Sequence, residues 1–383
     1  MIKIFDRTIK GTLVLPSQQH LGRQADRRLA ENKRKIQQWL SALPAVEIKN
    51  PLSRGLYRDL AGQLETQLAL PANKLALQDT AFRSYRKETQ LTAAALQGEP
   101  WAILKIFADQ KLSPAILRAF SEAEGCRDFS AVAGVVAPRL HFACRLTGKA
   151  VPPFTVLTGE SVVSGSPFLN WLETGKMKAG QARQQFLLQA AELAKRCAAM
   201  IHKVHSSSLP KENGDILSPD ELANEAGRVI DGLSGVAISN EDAIRAQKYL
   251  RANTRCVQQV RLVRAHRDYT TNNILYSDAD NTIGIIDLEK SGREYPGKDI
   301  SKFTESLLID GKNIGLGEDE IEHLGETFVR AYCERSAWND IGGFWRMVRF
   351  YQLYSVISFL AYDPANESRV ATLTARLRNL LRS

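Results

Sequence analysis

Between Ala265 and Gly292 the chain reads AHRDYTTNNILYSDADNTIGIIDLEKSG. Asp268 and Asn273 stand in an H-x-D-x-x-x-x-N pattern that begins at His266, and Asp287 follows 19 residues after Asp268, at the end of the apolar run IGII. Phosphoryl transfer would need each of these groups. A carboxylate must orient the attacking hydroxyl and accept its proton. Hard oxygen ligands must hold the metal ions that neutralise charge on the transferring phosphate. A loop followed by a hairpin can bring Asp268, Asn273 and Asp287 to one point, because the hairpin reverses the chain.

Those residues need elements to position them. Residues 18–42 and 52–69 have apolar positions at helical spacing, with Pro44 and Pro51 breaking the chain between them. From about Leu75 the pattern changes to short apolar or alternating runs with a Gly-Glu-Pro turn at 98–100, which predicts a small antiparallel sheet. Ser113-Pro114 opens a helix, with Ser as N-cap and Pro at the first helical position. RLHFA and PFTVLTGE read as two more strands. Beyond Phe168 the pattern is mainly helical: a long helix over 181–205, a helical insertion over 215–254, and closing helices over 318–335, 342–362 and 366–381. Strand returns briefly near 273–276 and 282–288.

The H-x-D-x-x-x-x-N loop followed by an apolar strand ending in Asp resembles the catalytic loop and metal-binding Asp of the protein-kinase-like superfamily. IIDLE in place of Asp-Phe-Gly, Asp299 in KDISKF, and the helix ending AAMIHKVHSS are closer to its bacterial small-substrate branches, the aminoglycoside phosphotransferases and lipopolysaccharide core kinases. FWRMVRFYQLYSVISFLAY is similar to their C-terminal helices, and no Ala-Pro-Glu segment is evident. The resemblance covers about residues 75–365. It implies an α+β, two-lobed kinase-like fold, with a small antiparallel N-lobe with hinge over 71–160 and a helical C-lobe with the catalytic loop over 161–383, preceded by the helical extension that the apolar spacing predicts over 1–70. It implies Asp268 as catalytic base and Asn273 and Asp287 as metal ligands, with His266 supporting the loop structurally.

Lys105 lies in the apolar strand WAILKIF, where a buried lysine is costly without an anionic partner. ATP phosphates and a helix carboxylate would supply one. Glu122 and Glu124 lie in the next helix, and Glu122 fits the family spacing better. The backbone from Leu157 to Glu160 is expected to hydrogen-bond adenine. The expected cofactors are ATP, with GTP as the alternative nucleotide, and Mg2+. One departure is the Gly-free stretch DTAFRSYRKET, where a Gly-rich hairpin often covers the phosphates. Arg83, Ser84, Arg86 and Lys87 are the side chains there that could hold phosphate instead.

Composition narrows the partners. No stretch reaches the roughly 18 apolar residues of a membrane span, and the N-terminus MIKIFDRTIKG has no apolar signal core. The five cysteines are scattered, as expected of free thiols in a reducing, cytoplasmic setting. The formal charge of +9 favours anionic partners, and so an acceptor hydroxyl on an anionic small molecule or glycan, with peripheral membrane contact left open. An acidic stretch from Glu305 to Glu326 points the other way, to a cationic acceptor or a solvated helix start. No basic patch with interleaved aromatics supports nucleic-acid binding. A protein Ser/Thr kinase and a nucleotide-binding pseudokinase are the alternative readings. His-Arg-Asp supports the first. The presence of Lys105, Asp268, Asn273 and Asp287 disfavours the second.

Overall fold

The computed structural model describes residues 29–47, 56–70, 74–78, 89–148, 151–207, 218–362 and 366–382, apart from residues 31, 259, 337 and 339. Arg83, Ser84, Arg86 and Lys87 lie outside that set, as do residues 18–28 of the first expected helix.

A six-stranded sheet forms the N-lobe. Its strands are β1 (Ala45–Glu47), β2 (Leu75–Gln78), β3 (Thr89–Leu96), β4 (Glu99–Asp109), β5 (Leu140–Thr147) and β6 (Phe154–Ser161), in the order β1-β5-β6-β4-β3-β2. All neighbours run antiparallel except β1, which lies parallel to β5. The β3–β4 turn is the two residues Gln97 and Gly98, both at positive φ (56° and 91°), the pairing that matches the right-handed strand twist. Alternation along the strands sends residues to two faces. Leu104, Ile106 and Leu157 pack with Leu60 and Leu64 of α2 (Leu56–Gln67). Phe107 and Val156 pack with Ile36 and Leu40 of α1 (residues 32–42) and with Ile116 and Ala119 of α3 (Pro114–Ser130). Lys105 follows the second register and emerges on the α3 side. Helix α3 starts where the Ser-Pro pair places it, with the Ser113 hydroxyl accepting from Ala115 N at 3.2 Å.

Segment 1–70 holds more than helices. Pro44 ends α1, and Val46, only 1% exposed, seats β1 on the sheet edge. The α1 and α2 helices cover opposite faces of the sheet, so the described α1, β1 and α2 are part of the N-lobe core.

Residues 162–165 cross to the second lobe. Gly165 is required there: at φ 113° a Cβ would come within 2.6 Å of the Tyr276 backbone. Strand β7 (Ser166–Pro167) then joins β9 (Ile274–Ser277) and β10 (Thr282–Ile285), and β8 (Val263–Ala265) pairs with β11 (Gly292–Glu294). The helices are α4 (Phe168–Glu173), α5 (Gly180–Ser206), α6 (Pro219–Leu233), α7 (Asn240–Gln258), α8 (Gly297–Asn313), α9 (Glu318–Arg335), α10 (Ile341–Tyr362) and α11 (Glu367–Arg382). One apolar core joins them, including Phe186 and Ile201 of α5, Phe303 and Leu307 of α8, Phe328 of α9 and Tyr351 of α10. The result is the two-lobed α+β arrangement expected. No helix among the described residues is long and apolar enough to cross a membrane.

Candidate active site

On the N-lobe wall of the cleft, Lys105 Nζ lies 2.7 Å from Glu122 Oε1 and 3.1 Å from Glu160 Oε1. Glu122 and Glu160 are almost wholly buried; Glu122 Oε2 lacks a hydrogen-bond partner, and Glu160 Oε1 meets Lys105 as an ion pair only. Burial alone would drive the Lys105 ammonium to lose its proton. Glu122, Glu160 and Asp287 together outweigh that and hold it well above the usual lysine range. Burial pushes the Glu122 carboxyl up as well, and crowding by Glu160 and Asp287 adds to the rise. The two shifts share one contribution: the negative charge of Glu160 and Asp287 makes both Lys105 and Glu122 hold protons more tightly.

Asp287 reaches this cluster from the β9–β10 hairpin, whose pairs run from Thr282↔Ser277 to Ile285↔Ile274. Just past the hairpin, Ile286 N donates to Asn273 O at 3.0 Å. Asp287 adopts a left-handed backbone (φ 62°, ψ 62°), uncommon for a residue with a Cβ and held here by its surroundings. Helix α3 clamps the turn that follows. Leu288 N donates to Glu122 Oε1 at 3.1 Å, and Arg118 pairs with Glu289 at 3.5 Å. Gly125 lets the helix come this close, since a Cβ there would lie 2.7 Å from Leu288 Cβ and 2.4 Å from Ser291 Oγ. Carboxylate oxygens of Glu122, Asp287 and Glu289 lie within 4.8 Å of one another.

Across the cleft, Asp299 of α8 fixes the catalytic loop. It is fully buried and accepts from His266 N (2.8 Å), Arg267 N (2.6 Å) and His205 Nε2 (3.0 Å). His205 in turn accepts from the Tyr332 hydroxyl at 2.7 Å. His266, also fully buried, donates from Nε2 to Ile286 O at 2.8 Å and accepts from Asp268 N at 3.3 Å. These contacts make His266 a strut between the loop and the approach to Asp287. Asn273 Nδ2 donates to Asp268 O at 2.9 Å, which leaves Oδ1 as the atom for another partner. The Asp268 carboxylate meets Lys290 Nζ at 2.5 Å. Burial would raise its pKa, but Lys290 and Lys302 outweigh that and bring it down to about 2.

The expected residues are therefore brought together, with one correction. Leu157 lies in mid-strand, paired with Ile106 on one side and Cys144 on the other, so the sheet claims its backbone. Glu160 contributes its side chain, turned towards Lys105 on the α3 face, rather than a hinge backbone. The connection between the lobes falls just beyond, at Val162 to Ser164, which no backbone–backbone hydrogen bond engages among the described residues. Of the two candidate helix glutamates, Glu122 reaches Lys105, whereas Glu124 sits near the surface with Arg127. Three acids of the Glu305–Glu326 stretch are paired within the chain: Glu305 holds Arg376, Glu318 holds Lys312, and Glu320 binds Arg183 through both oxygens. Sequence reasoning missed Lys290, Lys298 and Lys302. Their signal was the basic i, i+4 pair in KDISK and a lysine three residues after Asp287.

The model of the phosphotransferase enzyme family matches residues 90–344. No match was found among curated proteins. The fold is similar to that of a glucosamine kinase in complex with glucosamine, ADP and inorganic phosphate (TM-score 0.50, 15% identity, 84% of this chain and 82% of that one). It is also similar to a thermostable mutant of aminoglycoside phosphotransferase APH(4)-Ia in ternary complex with ADP and hygromycin B (TM-score 0.54, 13% identity, 84% and 98%). The chain belongs to the phosphotransferase enzyme family and is a kinase that phosphorylates a hydroxyl group.

Proposed function

We propose that the protein transfers the γ-phosphate of ATP to a hydroxyl of a small molecule or glycan, with Asp268 as base and Mg2+ held by Asp287 and Asn273. The observation that carries this reading is the Lys105–Glu122 pair at 2.7 Å beside Asp287, although 182 residues separate Lys105 from Asp287 in the chain. A cleft that gathers these groups suits a triphosphate.

The donor set suits magnesium. Among the described residues, no hydrogen bond or ion pair engages the Asp287 carboxylate, whereas Glu122 and Glu289 are already held by Lys105 and Arg118. Asp287 and the free Asn273 Oδ1 are hard oxygen donors, the kind Mg2+ takes. When bound there, the ion would neutralise charge on the transferring phosphate. Lys105, pinned by Glu122 and Glu160, would hold the non-transferring phosphates. The unengaged backbone of Val162 to Ser164 would read the adenine edge.

Asp268 is ionised at any working pH. A carboxylate this acidic takes a proton only as the new P–O bond forms, which suits a loose transition state, and its main task is to orient the hydroxyl. Lys290 must leave the carboxylate for the acceptor to approach. Asp287 and Glu289 already attract it, so it would swing towards the phosphates. The cytoplasm, which supplies ATP, is the proposed setting, in keeping with the buried unpaired Cys126, Cys144 and Cys197.

The test is transfer of label from γ-labelled ATP, with Mg2+, into fractions of a metabolite extract. Labelled product made by the wild-type protein and not by Asp268→Asn is expected. Tight binding of ATP with no labelled fraction from any extract would count against catalysis and favour a pseudokinase.

A further inference from the structure

The acceptor side of the cleft holds positive charge that the proposed mechanism does not use. Lys298 and Lys302 lie four residues apart on α8, on one face of the helix. Each ammonium rests over an aromatic ring of α10: Lys298 Nζ is 4.3 Å from the Tyr354 centroid and Lys302 Nζ is 4.2 Å from that of Phe359. Both face Asp268 closely enough for its charge to act on them. Glu294 also acts on Lys298, and Arg369 shares the Phe359 ring with Lys302. Lys290 holds Asp268, and Arg267 holds Glu294 at 3.3 Å. Among the described residues, neither Lys298 nor Lys302 has a carboxylate within salt-bridge distance, and no hydrogen bond engages either ammonium.

An ammonium carries three donors, and partial burial without a carboxylate is costly. A ring face returns only about 0.5–2 kcal/mol of that cost. Burial accordingly pushes both lysines down, Lys302 to about 7. Two such groups beside the base are poorly suited to a cationic acceptor, which they would repel, and well suited to an oxyanion, which would fill their empty hydrogen bonds.

We propose that Lys298 and Lys302 form an anion-binding subsite of the acceptor pocket, so that the acceptor is a hydroxyl compound carrying a phosphate or carboxylate close to the hydroxyl that Asp268 orients. This rests on the reading of Asp268 as the residue that meets the acceptor. Lysines are compact point charges that serve either oxyanion, so the test carries both.

The protein is loaded with ADP and Mg2+ to fill the nucleotide site, then labelled briefly with an amine-reactive reagent. Peptide mass spectrometry reads modification of Lys298 and Lys302. The probes are inorganic phosphate, glucose 6-phosphate, glucuronate, glucose and glucosamine at equal concentration. At least one anionic probe should reduce labelling of both lysines about fivefold or more, with glucose and glucosamine without effect. Phosphate and glucose 6-phosphate acting alone would assign a phosphate-bearing acceptor, and glucuronate acting alone a carboxylate-bearing one. In Lys298→Met, protection of Lys302 by the same probe should be lost. Protection by glucosamine equal to that by the anions would overturn the proposal, as would no protection by any anion. Retention of ADP is measured separately. Its failure would sink the kinase reading while leaving the protection pattern to judge the anion subsite.

Discussion

The two walls of the cleft carry opposite surpluses of charge. At the N-lobe wall one ammonium, Lys105, faces three carboxylates, Glu122 and Glu160 of the same lobe and Asp287 from the β9–β10 hairpin. On the C-lobe wall one carboxylate, Asp268, faces Lys290, Lys298 and Lys302. Each imbalance is costly in a partly dry site, because a buried charge without its counter-charge is destabilising. On the proposed reading each would be relieved by a particular visitor: cations on the first wall, and anionic oxygens on the second. The difference teaches that charge left unbalanced within a fold indicates the sign of what binds there.

The largest effect expected is on turnover. Asp268→Asn keeps the shape but removes the acceptor for the hydroxyl proton, and should lower kcat by about 10²–10⁴-fold with ATP affinity nearly unchanged. Initial rates and a nucleotide titration check this. Loss of less than about tenfold would mean that Lys290 blocks Asp268 from the reaction. Next comes the first wall. Glu122→Ala strips Lys105 of its nearest partner and Leu288 N of its acceptor, and should destabilise the protein by about 3 kcal/mol in urea unfolding. Glu124→Ala, two residues along the same helix, serves as control and should stay within about 0.5 kcal/mol.

The second wall should answer with the opposite sign. Lys302→Met removes a strained charge and should stabilise the free protein by about 1 kcal/mol near pH 7. With Lys302 held down to about 7 and near 10.4 when unfolded, the unfolded chain binds more protons between those values. The contribution of Lys302 to wild-type stability should therefore rise with pH from 7 to about 8.5, while the raised Glu122 carboxyl opposes it in the total. The urea midpoint across that window should rise less in Lys302→Met. A destabilised variant would mean that the methylene stem of Lys302, rather than its charge, governs this wall.

How far the sequence discloses this architecture depends on the kind of signal. Ser113-Pro114 announced α3, and the spacing around 181–205 announced α5, because caps and apolar periodicity act locally. Asp268, Asn273 and Asp287 were legible because the loop and hairpin that unite them are contiguous. Helix α8 is less legible: in KDISKF the acidic Asp299 dominates the signal, although Ile300, Phe303 and Leu307 mark the helix's buried face. Strands β8 and β11, of three residues each, are too short for any period to show. Leu157 was misplaced because adenine recognition by backbone leaves no trace in residue type, so the lobe crossing had to be guessed within a few positions. The roles of Glu160, Lys298 and Lys302 depend on which wall each faces, a property of the assembled tertiary structure.

The central claim, that the carboxylate-rich wall receives a metal-bound nucleotide, is tested most directly by titrating ATP with and without Mg2+ against the wild-type protein and Asp287→Ala. Magnesium should tighten ATP binding to the wild type about tenfold or more and leave the variant's affinity unchanged. Equal magnesium dependence in the two proteins, or none in the wild type, would contradict the assignment of Asp287 and with it the account of that wall.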